Sequence, residues 1–289
     1  REENPYVEAF WKWWPDLYPK LKHFRMTGGE PLMDKNTFRV LDYVVDNGRK
    51  DLNMSITSNA SVPEKNWNRF VDTVSFITEY DKLESFRLFV SVDGWGEQAE
   101  YMRDPLNFDV LWRNVNNYLN RTKDGLVTFI VTLNMLSMPS IKKLMEGILE
   151  LQRIHNVTKT RRDDNGKLIF YGIHRVYVDT PALHFPAWQS LKVLPKEFWH
   201  YGDECLEFMK ANPDKNRESR WVGFKPHQIA RFSRSLDFMK QGFSSLEEEV
   251  EAQGNFVRFF EAYDKRRGLD FHATFPELGP YYNKWKARL

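Results

Sequence analysis

The stretch Leu21-Lys22-His23-Phe24-Arg25-Met26-Thr27-Gly28-Gly29-Glu30-Pro31-Leu32-Met33-Asp34 decides the architecture. Leu21 to Met26 reads as a short strand that stops at Thr27-Gly28-Gly29, where adjacent glycines admit backbone conformations closed to other residues. Asp34 supplies an N-cap acceptor, and Phe38, Leu41, Val44 and Val45 then recur at helical spacing as far as Val45. Strand, glycine loop and helix form the repeating unit of parallel α/β architectures, whose ligands gather at the C-terminal ends of the strands.

Outward from this unit the pattern recurs. Strands are expected at Asn53 to Thr57, Phe86 to Val92 and Val127 to Leu133, with helices at Pro63 to Val71, Phe108 to Leu119 and Ile141 to Ile154. Arg161 to Lys167 reads as a charged turn, and Ile173 to Val178 as the last strand, stopped by Pro181. From Pro195 onward mostly helices are expected, at Lys196 to Ala211, Pro226 to Lys240 and Leu246 to Arg266, and no further strand. The predicted class is α/β: an open, partial βα barrel over residues 1–194, with a helical C-terminal extension over 195–289. A doubly wound sheet is the alternative.

In the 289 residues, a hydrophobic share of 42% and an aromatic share of 15% supply enough core to exclude a disordered chain. Forty-two basic residues against 40 acidic ones leave a formal charge of +2, which makes no broad electrostatic claim on nucleic acid or anionic lipid. No apolar run reaches the roughly 18 residues of a spanning helix, and Arg1 to Trp14 lacks a signal-peptide layout, so a cytoplasmic setting is expected. Cys205 is the only cysteine, which excludes an intrachain disulfide and any site built from several thiolates of this chain. Phosphate loops of the nucleotide-triphosphatase kind, nucleophile elbows and two-cysteine redox pairs are missing as motifs.

Thr27-Gly28-Gly29-Glu30-Pro31 carries the most specific chemistry. The glycines let a ligand approach the backbone, Pro31 stiffens the exit, and Glu30 adds a carboxylate. Such a loop suits an ammonium group, which needs several oxygen acceptors once it leaves water. A tight loop with a solvated glutamate is the plainer reading.

The segment Phe24 to Leu32 resembles the Gly-Gly-Glu-Pro motif of the radical S-adenosylmethionine (SAM) superfamily, which holds the methionyl amino group of SAM after the second barrel strand. Ile56-Thr57-Ser58-Asn59 is similar to the family's third strand end, and Val90-Ser91-Val92-Asp93-Gly94 to its fourth. Tyr101-Met102-Arg103 resembles the arginine-bearing stretch of members with SPASM or twitch domains, and Asn134 matches an asparagine that reaches the SAM ribose. Val178-Asp179-Thr180-Pro181 and the tail Phe259 to Gly268, with Phe275 to Leu278, are similar to twitch-type members. The resemblance implies a partial (βα)6 barrel with its first strand missing and a SAM site formed by Gly28, Gly29, Glu30, Pro31, Ser58, Asn59, Ser91, Asp93, Arg103 and Asn134.

The family's Cys-x-x-x-Cys-x-x-Cys loop, which holds a [4Fe-4S] cluster, is not in this sequence, and an N-terminally truncated chain is the expectation. In the complete protein the resemblance implies a cluster bound by upstream cysteines and hydrogen abstraction by a 5′-deoxyadenosyl radical. The implied partners are a small-molecule or peptide substrate and an electron donor such as flavodoxin or ferredoxin. A non-catalytic barrel module that binds a peptide or protein is the alternative, and an aldolase-like barrel lacks a strand-end Schiff-base lysine.

Other residues invite plainer readings. Trp11, Trp13 and Trp14 could form a substrate platform but suit core packing of a helix at Tyr6 to Tyr18. His23, His174 and His184 lack metal-ligand spacing, Lys265-Arg266-Arg267 and Arg161-Arg162 read as solvated charge, and Cys205 as a buried thiol.

Overall fold

The computed structural model of the protein describes residues 4–162, 165–217 and 220–289. Strands β1 (His23–Met26), β2 (Arg49–Ser58), β3 (Leu83–Ser91) and β4 (Leu126–Ile130) lie in sequence order in one sheet. Strands β5 (Val157–Arg162) and β6 (Leu168–Ile173) form a separate antiparallel hairpin, and β7 (Val176–Asp179) returns to pair with β4. The five-stranded sheet, ordered β1-β2-β3-β4-β7, is parallel throughout. All its C-terminal strand ends therefore lie along one edge.

Helices α1 (Pro5–Leu17), α2 (Lys35–Asp46), α3 (Glu64–Glu79), α4 (Gly96–Met102), α5 (Phe108–Arg121) and α6 (Met138–His155) belong to the sheet region. Asp34 caps α2 as expected, its Oδ1 accepting the Asn36 N–H at 2.7 Å. Strand periodicity fixes which face is covered. Leu52, Met54 and Ile56 of β2 and Phe86, Leu88 and Val90 of β3 are buried with Leu41, Phe70, Val115 and Ile148 of the helices. The intervening residues Asn53, Ser55, Thr57, Arg87, Phe89 and Ser91 point to the opposite, half-buried face. A parallel sheet with one helix-covered face and one polar, accessible face is an arrangement that partial βα barrels share.

Beyond Pro195 come α7 (His200–Ala211), strands β8 (Lys215–Arg217) and β9 (Arg220–Val222), α8 (Pro226–Gln241), α9 (Leu246–Arg267), α10 (Phe271–Thr274) and α11 (Gly279–Lys286). One connected set of buried apolar side chains runs from Trp14 to Trp285.

Several expectations need correction. Ile173 to Val178 is not one strand: Ile173 ends the hairpin, and the sheet strand starts at Val176. The break is Arg175, whose N–H bonds Asn156 Oδ1 at 2.8 Å and whose guanidinium turns inward to the carbonyls of Gly125, Leu119 and Thr122 at 3.0, 2.8 and 2.9 Å. The charged turn Arg161 to Lys167 is the tip of that hairpin, with residues 163 and 164 outside the described residues. The region after Pro195 is not all helical, because β8 and β9 pair as a short antiparallel ribbon. Lys196–Phe198 is a 3₁₀ turn and α7 starts only at His200. Strand β4 stops at Ile130, and Leu133 adds only an isolated parallel bridge to Ala182.

Trp14 packs among Phe10, Trp11, Tyr18, Phe24 and Tyr43, with ring centroids 5.1 to 5.9 Å away, so it anchors α1 in the core. Trp13 is exposed. Cys205 is fully buried, and burial pushes its thiol above the ordinary range, an inert environment for sulfur.

Candidate functional site

The loop after β1 is built by its glycines. Gly28 and Gly29 have φ of +97° and +49°, and a Cβ at either position would meet nothing within 4 Å. They are there for backbone conformation, and the space beside them stays open to a ligand. Glu30 then pins two loops together: Oε1 accepts the Leu32 N–H and Oε2 the Asn59 N–H, both at 3.0 Å. An ionised carboxylate offers about four acceptor positions, so each oxygen keeps one for a further donor. Pro31 is buried at the head of a 3₁₀ turn, Pro31–Met33.

At the end of β2, Ser58 is buried and its Oγ accepts the Ala60 N–H at 2.9 Å, while Asn59 Oδ1 accepts the Ser61 N–H at 2.9 Å. Both side chains shape the turn that presents the Asn59 amide to Glu30. Ser91 ends β3 in register with Ile130 of β4 and is half-buried on the open face.

The third cluster is the most strongly organised. Asp93, almost wholly buried, accepts the Thr132 N–H on Oδ1 and the Arg103 Nε–H on Oδ2, both at 2.7 Å. Burial raises the Asp93 pKa, and Arg103 and the Thr132 amide oppose that shift. Arg103 commits only Nε to this pair in the hydrogen bonds of the described residues, and its side chain is 29% exposed. The outer edge of its fork therefore faces outward with donors to spare. Asn134 accepts the Leu136 N–H on Oδ1 at 2.9 Å and donates Nδ2 to the Thr132 carbonyl at 3.1 Å, so it caps its own loop.

A cavity of about 360 Å³ opens on this cluster, lined by Asp93, Thr132 and Asn134 beyond the strand ends, by Arg103 at the C-terminal end of α4, and by Tyr101, Phe259 and Tyr263 on α4 and α9. Ligand pockets begin at roughly this size. The helical wall is clamped: Tyr101 Oη donates to Asp264 Oδ1 at 2.6 Å, Tyr263 Oη donates to the Tyr101 carbonyl at 2.9 Å, and the Phe271 N–H donates to Asp264 Oδ2 at 2.9 Å. Burial and the Asp264 carboxylate hold the Tyr101 hydroxyl far above its usual pKa, so it stays a donor.

The structure thus brings Asp93, Arg103 and Asn134 together around one cavity. Gly28, Gly29, Glu30, Pro31, Ser58, Asn59 and Ser91 sit on the same sheet edge but do not line it. Of Glu30, Ser58, Ser91 and Asn134, only Asn134 does. Sequence reasoning missed Thr132 and the aromatic wall; the available signal was Phe259, Phe260 and Tyr263 recurring on one stretch of helix beside Asp264. No protein-family model and no curated protein matches the chain. Among the described residues, no three His, Cys, Asp or Glu side chains group as a metal site.

Proposed function

We propose that this chain is the SAM-holding part of a radical SAM enzyme, on a partial barrel of that kind. The observation that carries the reading is the Asp93–Arg103 pair at the cavity, on the same edge as the Gly28-Gly29-Glu30 loop. The donors and acceptors fit the cofactor. Glu30, with the loop carbonyls around it, offers oxygens to an ammonium, and Arg103, held by Asp93, offers its fork to a carboxylate. Tyr101, Tyr263 and Phe259 form an aromatic wall suited to a flat base.

When bound beside a reduced iron–sulfur cluster, SAM supplies the radical chemistry of such enzymes. The residues of this chain do not hold the cluster, since the one cysteine, Cys205, is buried away from the site. Their part is to orient: Glu30 fixes the amino end, Arg103 the carboxylate, and the α4–α9 wall keeps water from the nucleoside.

Calorimetric titration with SAM tests this reading, comparing the chain with Glu30→Gln and Arg103→Met variants. Each variant is expected to bind at least tenfold more weakly; equal binding by all three proteins would overturn the assignment.

A further inference from the structure

The open face of the sheet holds a second cavity, of about 400 Å³, that shares no lining residue with the first. Its floor is Arg87 and Phe89 of β3, Thr128 of β4, and Tyr177 and Asp179 of β7. Its wall is α8, on which His227, Arg231 and Arg234 recur at i, i+4 and i+7 and so form one stripe. The helix is locked in place: Gln228 Nε2 donates to the Val178 carbonyl and Ser235 Oγ to the Thr180 carbonyl, both at 3.0 Å.

Charge in this cavity is unbalanced. Three guanidinium groups (Arg87, Arg231, Arg234) against one carboxylate (Asp179) leave +2 with His227 neutral. Arg87 is oriented by Thr128 Oγ1 at 2.6 Å and lies 4.8 Å from the centre of the Tyr177 ring. Arg231 Nε pairs with Asp179 Oδ1 at 2.7 Å. Arg234 has no bonded partner among the described residues, and Lys225 Nζ adds a further cation 5.2 Å from the Tyr177 ring. Like charges crowded on one stripe repel, and a bound anion relieves that repulsion.

Guanidinium forks match the paired oxygens of carboxylate and phosphate, and the Phe89 and Tyr177 rings carry further cations beside them, Arg25 lying 4.1 Å from the centre of the Phe89 ring. We propose that this cavity binds the anionic group of the substrate, a carboxylate or a phosphate. Identifying the ligand as the substrate rests on the proposed function above; the binding of an anion does not.

The test titrates the whole chain calorimetrically at low ionic strength with pyrophosphate in one arm and glutarate in the other. One probe is expected to bind the unaltered chain, and the tighter one tells phosphate from carboxylate. Arg234→Glu, at an exposed position, should weaken that probe at least tenfold while thermal unfolding stays unchanged, and Arg87→Gln should weaken it as well. Arg113→Glu, an equal charge change at an exposed position on α5 outside the cavity, should stay within twofold. Failure of both probes to bind, or equal weakening by Arg113→Glu and Arg234→Glu, overturns the proposal. The two readings fail separately: SAM binding that persists in a chain that binds neither anion sinks only this one, and anion binding without SAM binding sinks only the cofactor assignment.

Discussion

Replacing Arg103 by methionine isolates the electrostatics of the candidate site. The guanidinium is the cation hydrogen-bonded to Asp93, whose side chain is only 10% exposed, and removing it leaves the Thr132 N–H as the one remaining donor to that carboxylate among the described residues. Breaking a buried pair in this way costs about 3–5 kcal/mol when the surviving charge is fully enclosed. Arg103 is itself 29% exposed, so water reaches one side of the pair and the expected loss at neutral pH is nearer ~2–3 kcal/mol. For a chain of this length that is a fall in Tm of about 3–5 °C. The pH dependence has a definite sign. Burial already raises the Asp93 pKa above its unfolded value, and losing Arg103 raises it further. The folded variant then binds a proton more readily than the unfolded chain, so its deficit is largest at neutral pH and shrinks as acid protonates Asp93. Thermal unfolding of both proteins across the acid range measures this directly. A deficit that is constant with pH, or an unchanged Tm at neutral pH, would refute the pairing of a buried charge.

Two further perturbations probe the frame around the site. Arg175→Lys gives up a fork that reaches the Gly125, Leu119 and Thr122 carbonyls, and should cost ~3 kcal/mol in denaturant unfolding, with little change in the slope m. For His174, burial outweighs the attraction of Asp214 at 3.5 Å, with Lys225 acting in the same direction as burial, so the folded ring binds a proton less readily than the unfolded one. Stability therefore falls as pH drops below about 6.5 and levels off below the folded pKa. His174→Gln should flatten that part of the Tm profile, and identical slopes in the two proteins would contradict the burial argument.

The first four strands of the sheet were legible because each is a short apolar segment with clear alternation, ended by small polar residues and followed by a helix with its own period. Recognition failed where that contrast fades. Leu168–Ile173 and Val176–Asp179 run almost together in sequence, and only the long-range bonds of Arg175 separate hairpin from sheet. Strands β8 and β9, at three residues each, are too short to show a period. At the site, the sequence offered Asp93, Arg103 and Asn134 only through the family resemblance, and the structure brings these three to one cavity. The sequence could not show that Glu30 already serves two backbone amides or that Asn134 spends both ends of its amide on its own loop. Nor could it supply the far wall, because Tyr101 and Tyr263 meet across 162 residues of chain.

The central claim is tested most directly by hydrogen exchange of the chain with and without saturating SAM. Slowed exchange is expected together at residues 27–34, 92–103 and 131–136, the loops that carry Glu30, Arg103 and Asn134. Protection confined to other segments, or none at any SAM concentration, would show that this edge of the sheet does not hold the cofactor.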